Sequence, residues 1–183
     1  MNTLYLGKLE YADPLYGILS SKVCPDVKDP IFHVNNMSNR SVYKYTEEKT
    51  RIATIGKFFK LNDPKPDRSL RIKGEYDNLQ KIRGYGFDTS PHYVVRPISR
   101  ENRIGLALIE EFIHGKDLDY YFKKAIYEGD GASLKKKLSK LASFLYILHK
   151  KTEREENDAQ WVFTEPEMAM LGLTPFFKFR ILS

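Results

Sequence analysis

The sequence predicts an α+β fold in which strands and helices are segregated along the chain. Three observations carry this. Segments rich in β-branched and aromatic residues run from Phe32 to Lys60, a single helical period separates them from a later pair of strands, and beyond Gly115 helical spacing takes over. The regular strand–helix alternation of a doubly wound sheet is missing.

Taken in order, residues 1–31 carry short apolar pieces broken by Pro14, Pro25 and Pro30 and read as an irregular or short-element lead-in. FHVNN, SVYKYTEE and RIATIGKFFK then fit three antiparallel strands, joined through NNMSNR and TEEKT. A loop over residues 62–67, with Pro64 and Pro66, leads to SLRIKGEYDNLQKIRG. There Ile72, Tyr76, Leu79 and Ile82 recur at near-helical spacing, Ser69 is the expected N-cap, and Gly84 marks the end. HYVVRPIS and RIGLALIEEFI read as two further strands around Arg100-Glu101-Asn102, the second so continuously apolar that it should be buried on both faces. Two helices follow. One holds Leu118, Tyr121, Phe122, Ala125 and Ile126 and ends near Gly129 and Gly131. The other, capped by Ser133, places Leu134, Leu138, Leu141, Leu145 and Leu148 in one stripe. The tail from Gln160 is apolar and aromatic without a clean period.

With 183 residues, 42% hydrophobic and 30% charged, the chain has the balance of a folded protein of about one domain rather than a disordered one. No stretch approaches the roughly 18 apolar residues of a membrane-spanning helix. Neither a signal sequence nor a disulfide framework is expected, Cys24 being the single cysteine, and a cytoplasmic location is the default. The excess of 30 Lys and Arg over 24 Asp and Glu favours anionic partners without choosing among them. Lys135-Lys136-Lys137 reads as a solvated helix face.

Three segments carry candidate chemistry. Lys57, in ATIGKFF at the end of the third strand, is either a fixed ammonium for an anion or an edge lysine facing water. Glu75 shares a helix face with Ile72 and Leu79 and should find a cation, Lys57 or its helix neighbour Arg71. LIEEFIHGKDL is a buried strand running into a loop. In order and spacing these resemble the N-terminal lobe of protein-kinase-like phosphotransferases, most closely the aminoglycoside and choline kinase-like branch, with lipopolysaccharide-type kinases as near relatives. The likeness runs from about Phe32 to Thr152. It implies a five-stranded antiparallel nucleotide-binding lobe with one helix over residues 32–113, and over 114–183 a linker with the first helices of an incomplete second lobe.

By the same resemblance, Lys57 holds the α- and β-phosphates of ATP and Glu75 fixes that lysine. The backbone of Glu111, Phe112 and Ile113 lies along the adenine, and the Ser/Asn-rich stretch with Ser38, Asn39 and Ser41 covers the phosphates, unless it is a simple hairpin loop. Glu110 departs from the pattern, standing where the family has an apolar residue at the back of the pocket. The resemblance also implies ATP with Mg²⁺ and a small-molecule hydroxyl acceptor of aminoglycoside, choline, sugar or lipopolysaccharide type. Beyond Leu148-His149 stands Asp158, but neither a His-x-Asp pattern nor a suitably spaced Asn, so no catalytic base or Mg²⁺ ligand is identified. The expectation is therefore the ATP-binding portion of a phosphotransferase, completed by a longer product or another chain. Asp117 and Asp119 either touch substrate or begin a helix, and His33, His92, His114 and His149 share no metal or triad spacing. Two alternatives stand beside this. One is a non-catalytic scaffold whose apolar tail docks a partner chain or a second copy. The other, ranked last, is a nucleic-acid binder using Tyr43, Lys44, Tyr45, Lys57, Phe58 and Lys60.

Overall fold

The computed structural model describes residues 4–37, 41–59 and 66–153, with side chains omitted over 66–73. Among them the α+β class holds, but the sheet has six strands rather than five: β1 (Leu4–Lys8), β2 (Phe32–Asn36), β3 (Val42–Glu47), β4 (Ala53–Phe58), β5 (Pro97–Glu101) and β6 (Leu106–Glu111). It is open and antiparallel, in the order β1-β2-β3-β4-β6-β5. Four helices accompany it: α1 (Pro14–Val23), α2 (Pro66–Gly84), α3 (Leu118–Glu128) and α4 (Gly131–Thr152). The chain folds as two compact units, Met1–Gln80 with Val95–Phe112, and Lys81–Val94 with Ile113–Ser183.

In the first unit the lead-in is part of the sheet. Pro14 does not break a helix but starts one, because a helix's first residue needs no N–H partner; Asp13 caps it, accepting from the Leu15 N–H at 2.8 Å. Leu15 and Leu19 of α1 are then buried with Phe32, Tyr45 and Ile109 on one face of the sheet. A leucine fully withdrawn from water contributes on the order of 2 kcal/mol, so α1 is anchored by few residues. β4 admits Tyr45 because residue 56 is glycine: a Cβ there would lie 2.9 Å from the tyrosine ring. As β6 lies between β4 and β5, Leu106, Ala107, Leu108 and Ile109 are all buried, as their unbroken apolar run predicts.

Three sequence expectations shift. Helix α2 begins at Pro66, so Ser69 lies within it instead of capping it. Residues 92–96 are not strand; β5 starts at Pro97 and runs to Glu101, and a 3-10 turn over Asn102–Ile104 ends on Gly105 at φ 67°. In the second unit α4 is capped by Asp130, not Ser133. Asp130 takes the Ser133 N–H at 3.1 Å and Lys124 Nζ at 2.7 Å, and these partners, Lys124 foremost, lower its pKa to about 2. Within that unit Phe144 of α4 is buried against Phe87, ring centroids 4.8 Å apart, whereas Leu138 of the expected stripe is exposed. The tail from Gln160 lies outside the described residues. Among the described residues no helix is long and apolar enough to cross a membrane.

The register of the β3–β4 hairpin is fixed by Glu47. Its fully buried carboxylate closes the turn, accepting from Lys49 N at 2.9 Å, Thr50 N at 2.6 Å and Thr50 Oγ1 at 2.8 Å. Burial alone would raise its pKa; the hydrogen bonds from Thr50 and Lys49 outweigh that and hold it below the ordinary 4.5. A depressed carboxylate stabilises the fold above its unfolded pKa and loses that contribution as pH falls through the folded value. Glu47→Ala should therefore cost about 1–3 kcal/mol at pH 7, and urea titrations should show the gap to the wild type narrowing below pH 4.5.

Candidate functional site

The hairpin sets Lys57 near the end of β4, opposite Val42 of β3 and Leu108 of β6. Side chains alternate along a strand, so Ile55 and Lys57 share one face with Leu108 and Glu110 of β6, and with Lys44 of β3, which pairs with Ile55. Ile109, on the α1 side, points the other way. Helix α2 approaches the Lys57 face, with Leu79 buried and Asp77 bonded to Arg100 at 2.7 Å.

On this face Lys57 Nζ meets two carboxylates, Glu75 Oε1 at 2.5 Å and Glu110 Oε1 at 3.1 Å. The side chains are 22%, 34% and 12% exposed respectively, so water screens the cluster only in part. Burial would lower the lysine's pKa; Glu110 and then Glu75 overturn that and leave it raised. A raised lysine stabilises the fold below its ordinary pKa near 10.5 and stops doing so only as pH climbs through the higher folded value. At neutral pH the three groups sum to −1. Nearby, Lys44 Nζ sits 4.0 Å over the Phe112 ring, its pKa lowered by burial.

Of the residues singled out by sequence, Lys57 and Glu75 are brought together. Glu111 lies one residue past Glu110, and its side chain accepts from the Arg96 N–H at 2.8 Å instead of joining the cluster. Phe112 donates its N–H to Ala53 O at 3.0 Å, and Ile113 is the first residue of the segment assigned to the second unit. Ser41 O accepts from Phe58 N at 2.9 Å, which ties the end of the β2–β3 connection to β4; Ser38 and Asn39 lie outside the described residues. Asp117 and Asp119 serve helix α3, the first as its N-cap and the second paired with Lys123 at 2.7 Å. His33 bonds Tyr5 Oη and Glu48 on the β1–β2 edge. Among the described residues no group of three His, Cys, Asp or Glu is gathered as metal ligands.

Sequence reasoning missed Glu110 as a partner of Lys57, although an acid at the end of a buried apolar run had to find a cation. Lys44 and Tyr45, grouped by sequence as an aromatic–cation pattern, point to opposite faces: Tyr45 is in the core with Leu15.

Lys57→Met leaves two partly buried carboxylates without their cation. It should cost about 3 kcal/mol at pH 7.5. Urea denaturation of the variant and the wild type at that pH checks this. In comparisons with known proteins the chain matches no family model, no curated protein and no solved structure.

Proposed function

We propose that this chain is the ATP-binding portion of a kinase-like phosphotransferase that transfers the γ-phosphoryl group to a small-molecule hydroxyl. The observation that carries the reading is the Lys57–Glu75 pair, a strand lysine fixed by a glutamate of the following helix. Its support is that the pair arises where the resemblance requires it, with the lysine on a strand that precedes the helix and two more strands after it. A fixed ammonium in a partly desolvated face neutralises phosphate oxygens without reorganising, which is the main task in phosphoryl transfer.

The residues present fit a polyphosphate. Lys57 supplies the charge, and its two carboxylates exceed its own by one unit, so a phosphate oxygen must displace one of them or arrive with a counter-cation. Mg²⁺ bound with ATP would supply that positive charge. Lys44, whose ammonium sits over the Phe112 ring, is a second cation on the same face. The backbone of Glu111 would lie along the adenine, and Ser41 stands at the end of the connection that would cover the phosphates.

A second reading, a non-catalytic kinase-like scaffold, is favoured by two observations. Lys57 is already saturated by two carboxylates, and β1 forms an open edge whose Leu4, Tyr5 and Leu6 are exposed. Thermal unfolding separates the two. On the nucleotide reading, Mg-ATP at a hundred times its Kd adds about 2.7 kcal/mol, seen as a rise in Tm of several degrees. Lys57→Ala, compared at its own lower baseline Tm, should lose that rise. No shift at millimolar Mg-ATP would leave the scaffold.

A further inference from the structure

We propose that Glu110 is a positioning residue which clamps Lys57 from within the sheet, so that the ammonium stays in place whether or not Glu75 is bonded to it. What matters is what each carboxylate is itself fixed to. Glu110 stands on β6, hydrogen-bonded on one side to β4, which carries Lys57, and on the other to β5. Both ends of the Lys57–Glu110 contact therefore stand on backbone held in one hydrogen-bonded ladder. Glu75 belongs to α2, whose described side chains at this face are buried Leu79, the Asp77–Arg100 pair at 40–62% exposure, and Glu75 itself.

Exposure points the same way. Glu110 is 12% exposed and Glu75 34%, so water replaces Glu75 at Lys57 far more readily than it replaces Glu110. The Glu75 contact is the shorter, 2.5 against 3.1 Å, but contact length does not measure how well the carboxylate is shielded from water. The two acids thus divide the task. Glu110 is the permanent counter-ion, and Glu75 is the partner that an incoming anion displaces. Displacement by phosphate rests on the nucleotide reading; the clamp itself does not.

The test uses the full chain without nucleotide. Lys57 is trace-labelled with acetic anhydride between pH 8 and 11, normalised to exposed lysines and read by mass spectrometry, in wild type, Glu75→Gln and Glu110→Gln. Among the described side chains the carboxylates facing Lys57 are Glu110 from β6 and Glu75 from α2, and Lys44 of β3 lies on the same face. Removing the carboxylate that governs the amine lowers its pKa and speeds labelling. Glu110→Gln should accelerate labelling of Lys57 about tenfold, one pH unit in its titration midpoint, and Glu75→Gln about twofold or less. A Glu75→Gln effect equal to or above that of Glu110→Gln overturns the proposal, as does an unchanged rate in Glu110→Gln. If Glu110→Gln does not fold, the Glu75→Gln arm decides alone: near-wild-type protection supports the clamp and a tenfold rise sinks it. Because no nucleotide is present, failure of Mg-ATP to bind leaves this result intact, and the reverse also holds.

Discussion

The burial of one ammonium on the inner face of a sheet constrains much of the first unit. A lysine with a fifth of its surface exposed cannot remain charged there without carboxylates, and the carboxylates cannot remain charged without it. That mutual dependence sets the register of β4 against β6, because a shift of one residue would send Lys57 to the α1 face and Glu110 away from it. It also holds the helix that follows β4 against the sheet. Among the described side chains of α2 Leu79 alone is buried, and Glu75 and Asp77 add ion pairs that position the helix.

The surrounding structure serves that constraint from both sides. On the far face α1 buries Leu15 and Leu19 against Tyr45 and Ile109, giving the sheet an apolar core. Gly56 lets Tyr45 approach so closely that β3 and β4 stay in contact one residue before Lys57. At the other end of the hairpin, Glu47 closes the turn with three hydrogen bonds. The lysine is thus held at the end of a strand whose opposite end is fixed by an unrelated carboxylate.

What is legible in the sequence follows from how local each signal is. β2, β3, β4 and the helices α2 to α4 can be read because period-2 and helical spacing are written in consecutive residues. Lys57 and Glu75 can be read as a pair because each side's facing follows from its own element. β1 and α1 escape such a reading because Pro14 looks like a breaker, whereas Asp13 ahead of it makes it a helix start. The start of β5 is obscured because Val94 and Val95 have strand character but Val94 is buried elsewhere, within the other unit. Glu110 is not legible as a partner: nothing in LIEEFI says which strand lies beside it, and only the β4–β6 pairing brings Lys57 within 3.1 Å.

Sheet order also decides how the cluster responds to an anion. Because β6 separates β4 from β5, Glu110 stands on a strand flanked on both sides, and its side chain is only 12% exposed. Glu75 is more open to water, with a third of its side chain exposed. A phosphate approaching Lys57 therefore meets an asymmetric pair: displacing Glu75 costs a partly solvated ion pair, worth about 1 kcal/mol or less, while displacing Glu110 strands a buried carboxylate at several times that cost. On the proposed reading the anion takes the place of Glu75 while Lys57 stays aimed by Glu110. The departure from the family pattern at position 110 then replaces an apolar wall with the lysine's fixed counter-ion, and the extra negative charge makes a cation-bound phosphate a better ligand than a bare one.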